Sequence, residues 1–286
     1  TRYTNKLRWF AETSALGLAI FFVFITARWD ITSYYLRIIL LPLFAFAGFI
    51  AYRRIVPDEA SLSTLNQFKM NALNIVLILI FGWLNISALR GYYYPGAAVN
   101  LSYPLQDGTY YIGGGGNSLW INNHHAYPPQ DYALDILQLN MLGNPRSIRN
   151  ISNLDEYEIF GNPIYSPCNG TVAKIVDGHK DQVPPNTDSI NLAGNYVLIE
   201  CLGVEVLLAH MKQDSILIAQ GDIVSVGDEI GAVGNSGNTS QPHLHIHAEK
   251  GGENGVILSG QGMPITFENR FLVRNSLFTG GTKVSK

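Results

Sequence analysis

Residues 237–249 read Gly237-Asn238-Thr239-Ser240-Gln241-Pro242-His243-Leu244-His245-Ile246-His247-Ala248-Glu249. After a turn-like segment, three histidines alternate with apolar residues, which is the two-residue period of a β-strand. The alternation predicts that His243, His245 and His247 share one face of a strand while the apolar residues face a core. Imidazole is the commonest zinc ligand in proteins and transfers protons near neutral pH. With only 7 histidines in the chain, this row favours a chemical site over a surface strand that happens to be rich in histidine.

A catalytic zinc site needs three protein ligands, so the strand requires partners from elsewhere in the chain. One candidate stretch, 122–136, carries His124 and His125 in a predicted loop and Asp135 within an apolar run. A carboxylate is costly to bury in such a run unless it is paired or bound to metal. The alternative for Asp135 is a solvent-facing strand position. A second candidate, His210, ends an apolar strand, where a purely structural histidine is the alternative.

The first third of the chain is strongly apolar, and charged residues make up only 14% of the whole. Three stretches, 14–27, 34–52 and 70–89, approach or reach the twenty or so residues that a helix needs to cross a bilayer, the first with its flanks. A cleaved signal peptide would explain one such stretch but not three, and buried core helices remain the alternative. The sequence therefore predicts three transmembrane helices. The net charge of −3 gives no indication of a nucleic-acid partner.

Basic residues beside these stretches predict the orientation in the membrane. Arg2, Lys6, Arg8, Arg53, Arg54 and Lys69 collect on one side, and Arg28, Arg37 and Arg90 on the other. The positive-inside rule then places the N-terminus in the cytoplasm and everything after Arg90 outside it.

The rest of the chain is typical of an all-β sandwich or split barrel, because short β-rich runs alternate with Gly, Asn, Asp and Pro clusters. The predicted strands are 170–176, 196–201, 204–210, 223–226 and 243–248. Residues 91–116 are rich in Gly, Tyr, Pro and Asn and include four glycines at 113–116, which predicts a linker and domain entry. The predicted organisation is a membrane domain at 1–90, this linker, and a β domain at 117–286.

Two cysteines, Cys168 and Cys201, fall at the ends of two strands that can pair antiparallel. In an oxidising compartment they could form a disulfide, and two unrelated buried thiols are the alternative.

Several separately spaced motifs between about 103 and 249 resemble the lysostaphin-type (LytM-like) zinc metallopeptidases. The Pro242-His243-Leu244-His245 segment is similar to the HxH signature of that family. Upstream of it, a glycine track is also similar to the family pattern, with Ala209 where the family has glycine: Ala209-His210, Gly221, Val224, Gly227, Ile230, Gly231 and Gly234. The segment 161–172 is similar to the family's strand entry.

The resemblance implies an antiparallel β fold and a zinc metalloendopeptidase that hydrolyses peptide bonds of bacterial peptidoglycan outside the cytoplasmic (inner) membrane. It implies one zinc ion per chain, bound by His125, Asp135 and His245, with His210 and His243 as the catalytic pair. The resemblance favours His125 over His124 as the ligand, although the spacing from His125 to Asp135 is longer than the family usually has. His245 and His247 could also be read as the HxH pair, but the Pro-His-Leu-His context favours His243 and His245.

Two other functions compete with this prediction. A catalytically inactive relative would bind cell wall or activate another hydrolase, but such relatives typically lose ligands. The second is a lipoyl or biotinyl carrier, because Met211-Lys212 is a Met-Lys pair of the kind that is modified in those domains. A carrier, however, has no use for the histidines.

Overall fold

The computed structural model describes residues 6–55, 64–146 and 151–280. In this part of the chain, three long helices come first: α1 (Lys6–Thr26), α2 (Tyr34–Arg53) and α3 (Thr64–Leu89). Each contains a stretch long and apolar enough to cross a membrane, judged by length and composition. The three predicted helices are confirmed as helices. Arg2, one of the basic residues behind the predicted orientation, lies outside the described residues, and the orientation stays a prediction.

The β-rich remainder is organised around an antiparallel sheet of nine strands, counted over the described residues, in the order β13-β2-β3-β10-β7-β6-β5-β8 with β11 beside β10. The strands are β1 (Val99–Leu101), β2 (Thr109–Gly114), β3 (Leu134–Gln138), β4 (Pro163–Tyr165), β5 (Gly170–Val176), β6 (Asn195–Cys201), β7 (Val204–Met211), β8 (Ile223–Val224), β9 (Glu229–Ala232), β10 (Leu244–Lys250), β11 (Gln261–Met263), β12 (Ile265–Phe267) and β13 (Leu277–Thr279). All five strands predicted from the sequence are present, and the class of α-helical segment followed by antiparallel β domain is confirmed. One departure is the pair β1 and β12, which runs parallel.

Strand β10 lies between β3 and β7 and sets the register of the sheet centre. His245 pairs with Asp135 of β3 on one side and with Ala209 of β7 on the other. Leu244 and Ile246 are fully buried in the main core, as the alternation predicts. The histidines therefore occupy the opposite face, where the sheet borders the site described below.

The stretch predicted as a linker and domain entry, 91–116, contains two strands, β1 and β2. The glycines that suggested a linker serve close packing. A Cβ on Gly114 would lie 2.8 Å from Oδ2 of Asp135, and one on Gly113 would lie 2.7 Å from Leu137 and 3.1 Å from Cζ of Arg28. The absence of side chains on β2 thus leaves room for the side chains of its neighbours.

The loop between α1 and α2 (27–33) packs directly on the β domain. Nδ2 of Asn144 donates to the carbonyl of Asp30 at 3.0 Å, and Nη1 of Arg274 donates to the carbonyl of Thr26 at 2.8 Å. This loop and the β domain consequently lie on the same side of the helices, which agrees with a chain that crosses a bilayer three times before the β domain begins.

The two cysteines form a disulfide, with the Cα atoms of Cys168 and Cys201 6.3 Å apart. Both residues are buried in the main core. Strands β5 and β6 pair antiparallel as predicted, and this pairing brings the two cysteines together. The thiol alternative is therefore excluded.

We expect the double substitution Cys168→Ala/Cys201→Ala to lower the free energy of unfolding of the β domain by about 2–4 kcal/mol, because the crosslink restricts the unfolded chain. Urea unfolding of the full chain in detergent, followed by tyrosine and tryptophan fluorescence, measures this. Reductant should destabilise the wild type by a similar amount and leave the double variant unchanged. The prediction is contradicted if reductant leaves the free energy of unfolding of the wild type unchanged although both thiols have been fully reduced.

Candidate metal site

Three side chains from distant parts of the sequence meet at the edge where β3 and β10 pair. Nε2 of His124 lies 3.0 Å from both carboxylate oxygens of Asp135, and Nδ1 of His245 lies 3.1 Å from Oδ1 of Asp135. The ligand atoms of these three residues all lie within 4.8 Å of one another, so the group could hold a metal ion. The direct pairing of Asp135 with His245 in the sheet produces this convergence.

The structure places His124 in this cluster and His125 outside it, so His124 replaces His125 as the proposed ligand. Both histidines lie in a short 3-10 helix, Asn123–Ala126, capped by Asn122, whose side-chain oxygen accepts from the amide of His124. Nδ2 of Asn122 is bound to the carbonyl of Gly116, which anchors the turn. The side chain of His125, the next residue in the turn, lies outside the cluster, and its Nδ1 lies against the carboxylate of Asp131.

His210 and His243 lie beside the cluster, with ring centroids 4.8 Å apart. Nδ1 of His210 is 2.8 Å from the carbonyl of Ser236, and Nδ1 of His243 is 2.8 Å from the carbonyl of Gln241. A carbonyl accepts but cannot donate, so Nδ1 of each ring carries a proton and Nε2 is the nitrogen left for chemistry in each ring. Nε2 of His243 is 3.5 Å from Oδ1 of Asp135.

The backbone of His210 is in the left-handed region, with a φ of 62°. Such a conformation is uncommon for residues other than glycine and persists where the surroundings determine it. Here the amide of His210 donates to Ala193, and its carbonyl accepts from Gly234. The strained position lets β7 end with the imidazole turned toward the cluster.

Opposite charges shape the ionisation of the cluster. Burial alone would raise the pKa of Asp135, but His124 and His243 outweigh burial and hold it well below its ordinary value. Burial likewise works against the charged form of His124, yet the neighbouring carboxylate of Asp135 raises the pKa of this histidine. Asp135 is thus ionised and available as an anionic ligand.

The other buried histidines are held neutral. Burial, assisted by His243, lowers the pKa of His210 to about 3. Burial also lowers the pKa of His245 well below its ordinary value and lowers that of His247. Neutral imidazole is the form that binds metal or accepts a proton, so these side chains are ready for both roles.

A hydrogen-bonded chain behind His245 fixes its orientation. Nε2 of His245 is 2.9 Å from Nδ1 of His247, and Nε2 of His247 is 2.8 Å from Oε1 of Glu249. Glu249 also accepts from the amides of Leu258 and Gly260. Because a carboxylate only accepts, the chain makes Nε2 of His245 a donor and leaves Nδ1 as the nitrogen that can bind metal. Sequence analysis gave Glu249 no role, although its two-residue spacing from His247 on the strand was visible.

The donor set fits zinc. Donor atoms around a tetrahedral zinc ion with bonds near 2.0–2.1 Å are about 3.3 Å apart. The nitrogen–oxygen distances from His124 and His245 to Asp135, 3.0 and 3.1 Å, come close to this geometry. Two neutral imidazoles and one carboxylate leave a fourth position free, which is the pattern of a catalytic zinc site rather than a structural one.

Two concave surfaces meet at these residues. The first, named here the histidine pocket, has a volume of about 180 Å³, and its wall includes Arg28, His124, Asp135, His210 and His243. The second, the adjoining groove, has a volume of about 470 Å³ and runs past His245 and His247 between apolar side chains that include Leu207 and Ile257. An open groove beside a possible metal position suits an extended polymeric ligand.

The structure thus defines a class of protein: a β domain with a His/Asp group that could hold a metal ion. Residues 156–256 match the model of peptidase family M23, so this part of the β domain is similar to the M23 (LytM/lysostaphin-type) peptidases. The matched part contains His210, His243 and His245, whereas His124 and Asp135 come from the chain before it. No curated protein shows significant similarity to this chain.

Several solved structures share part of the fold. A zinc-containing peptidase from Vibrio cholerae is 23% identical (TM-score 0.33), with 53% of this chain and 36% of that one covered. The corresponding values for LytU are 32% identity, TM-score 0.26, and coverage of 34% and 60%. Lysostaphin from Staphylococcus simulans is 16% identical (TM-score 0.30), with coverage of 57% and 47%. The chain thus spans less than two thirds of each of these proteins, and the similarity to the family lies in the match at 156–256.

We expect the metal-free protein to lose stability as the pH falls from about 6.5 toward 4. Histidines 210, 245 and 247 have lowered pKa values in the folded state, so the unfolded chain binds more protons over this range. Each additional proton that the unfolded chain binds lowers the free energy of unfolding by about 1.4 kcal/mol for every unit that the pH falls. Urea unfolding in the presence of chelator, at intervals between pH 7 and pH 4, measures the slope.

The raised pKa of His124 affects the free energy of unfolding only above about pH 6.5, where the folded state holds a proton that the unfolded chain has released. It therefore does not offset the loss of stability at lower pH. His247→Gln should make the pH dependence shallower. A flat profile between pH 6.5 and 4 would show that these imidazoles are protonated in the folded chain.

Proposed function

We propose that this chain is a membrane-anchored zinc metalloendopeptidase that hydrolyses peptide bonds of bacterial cell-wall peptidoglycan. The observation that carries the proposal is the meeting of His124, Asp135 and His245 beside His210 and His243 in a domain similar to the M23 peptidases. These five residues would supply ligands and proton-transfer groups where the histidine pocket meets the adjoining groove.

His124, Asp135 and His245 would hold the zinc ion. When bound, zinc lowers the pKa of a coordinated water and polarises a peptide carbonyl. Asp135 matches the metal with a negative charge that its neighbours keep ionised. Glu249 and His247 hold the ring of His245 in place through their hydrogen-bonded chain.

His210 and His243 would handle the protons. Nε2 of His210 carries a lone pair and remains neutral over the ordinary pH range, so this nitrogen is suited to orient a water molecule and accept its proton. Nε2 of His243, with a proton on it, would donate to the carbonyl oxygen and stabilise the negative charge that develops there. The carbonyls of Ser236 and Gln241 hold the Nδ1 proton of each ring, so Nε2 is the nitrogen that serves these roles.

The three apolar helices support a membrane anchor, and the excess of basic residues near α1 and between α2 and α3 supports a cytoplasmic N-terminus. In this orientation, the β domain lies outside the cytoplasmic (inner) membrane, facing the periplasm or the cell exterior. Peptidoglycan is found on that side of the membrane. The disulfide between Cys168 and Cys201 agrees with an oxidising compartment.

An inactive relative that binds cell wall is the remaining alternative. The full set of ligand and proton-transfer residues favours the enzyme. The carrier function has no support, since Nζ of Lys212 lies over the ring of Phe160, 5.1 Å from its centroid, rather than extending freely from a hairpin tip.

The full chain, purified in detergent, should contain about one zinc per chain and release new amino termini from peptidoglycan, detected by mass spectrometry. Chelator should abolish this release and added zinc restore it. His245→Ala should lose the metal and reduce cleavage to below about 1% of wild type, because the ligand cannot be replaced. His179→Ala, a histidine outside the cluster, is the matched control and should keep both properties. A folded, zinc-loaded wild type that cleaves no peptidoglycan bond would identify the inactive relative.

Glu249→Gln should weaken zinc binding by about 10- to 100-fold, because an uncharged amide orients His247 less firmly. Competition with a fluorescent chelator measures the affinity, and cleavage at saturating zinc should recover to near the wild-type rate. Glu200→Gln, which changes an exposed carboxylate on β6, two strands away from β10, is the control and should bind zinc like the wild type. Equal affinity in the two variants would show that Glu249 has only a structural role.

A further inference from the structure

The histidine pocket includes one residue that comes from the membrane region of the chain. Arg28 lies in the loop between α1 and α2, more than a hundred residues before Asp135 in the sequence, and it lines the same pocket as His124, Asp135 and His243. Its guanidinium lies over Gly113 of β2, where a Cβ would come within 3.1 Å of Cζ. Strand β2 pairs with β3, which carries Asp135.

Asp30 determines which part of the guanidinium is available. Nε and Nη2 of Arg28 donate to the two carboxylate oxygens of Asp30 at 2.8 and 2.7 Å. The side chain of Asp30 is fully buried, whereas that of Arg28 is 30% exposed. Asp30 therefore binds the Nε and Nη2 edge of the Arg28 guanidinium. Nη1 of Arg28 donates to no residue in the described part of the chain.

The surroundings of Arg28 favour an anion. Arg274 lies nearby, and burial together with Arg28 lowers the pKa of Arg274. Arg274 uses Nε and Nη1 on the carbonyls of Gly113, Thr26 and Trp120, and of the two arginines Arg28 is the one that lines the histidine pocket. Asp30 and Asp135 balance the two arginines, and a zinc ion in the site would make the pocket net positive.

We propose that Arg28 binds a carboxylate of the substrate peptide next to the bond that is cut, so that the membrane region contributes directly to substrate specificity. A guanidinium is suited to this role because its planar donors match a carboxylate. The inference depends on the proposed peptidase function and deepens it, since it identifies the substrate as a peptide with a free carboxylate. Arg28 is a substrate-binding residue in this scheme and takes no part in proton transfer.

The test uses the full chain in detergent and two cross-linked stem peptides that differ only in their α-carboxyl groups, which are free in one and amidated in the other. For the wild type, KM should be about 10-fold lower for the carboxylate peptide, since a hydrogen bond to a charged group is worth a factor of this order. Arg28→Gln/Asp30→Asn should raise KM for the carboxylate peptide to the level of the amidated one, with kcat within about two-fold. The paired change avoids leaving Asp30 buried and unpaired.

Arg28→Lys should recover part of the preference, because it retains the charge and loses the fork. Arg90→Gln, which removes an exposed charge on the same side of the helices, is the matched control and should keep the preference of the wild type. Equal KM values for the two peptides in the wild type overturn the inference, even if the variants fail to fold. A double variant that loses kcat equally for both peptides also overturns it, because such a loss would mean a structural role. Failure of the wild type to cleave either peptide would instead count against the proposed peptidase function on which the inference depends.

Discussion

The backbone pairing of Asp135 with His245 is the constraint on which the site depends. In an antiparallel sheet, directly opposed side chains lie on the same face a few ångströms apart, so the hydrogen-bonded ladder itself brings a carboxylate to an imidazole. A one-residue slip of β10 would turn His245 into the core and expose Ile246. The buried apolar residues of β10 prevent that slip, and the same residues that fill the core therefore hold the chemistry in register.

The glycines at 113–116 show how a sheet accommodates this site. Sequence analysis predicted a linker there because glycine is common in loops. In the structure, β2 passes so close to its neighbours that a Cβ on Gly113 or Gly114 would collide with Leu137, Arg28 or Asp135. A linker and a closely packed strand have the same composition at these positions, and only tertiary contacts distinguish them.

The alternating pattern of β10 was sufficient to predict its strand and its faces, because the period of two is a local property. The roles suggested for His210, His243 and His245 came from the family resemblance instead. Asp135 could be selected because a carboxylate in an apolar run needs a partner. The choice between His124 and His125 depends on the rotation of one short 3-10 turn, which Asn122 fixes through its hydrogen bonds, and no local pattern reports that rotation. Arg28 was beyond reach altogether, since its place depends on how a loop between two helices packs on a distant sheet.

The packing of the loop between α1 and α2 on the β domain has a mechanical consequence. An enzyme on a long flexible tether can search a large volume, whereas a domain in contact with the bases of its own helices stays at one height. If the helices span the bilayer, the groove works at a fixed distance from the lipid surface. Such a protein would reach only the innermost layer of the polymer above it, and material farther out would have to be left to other hydrolases.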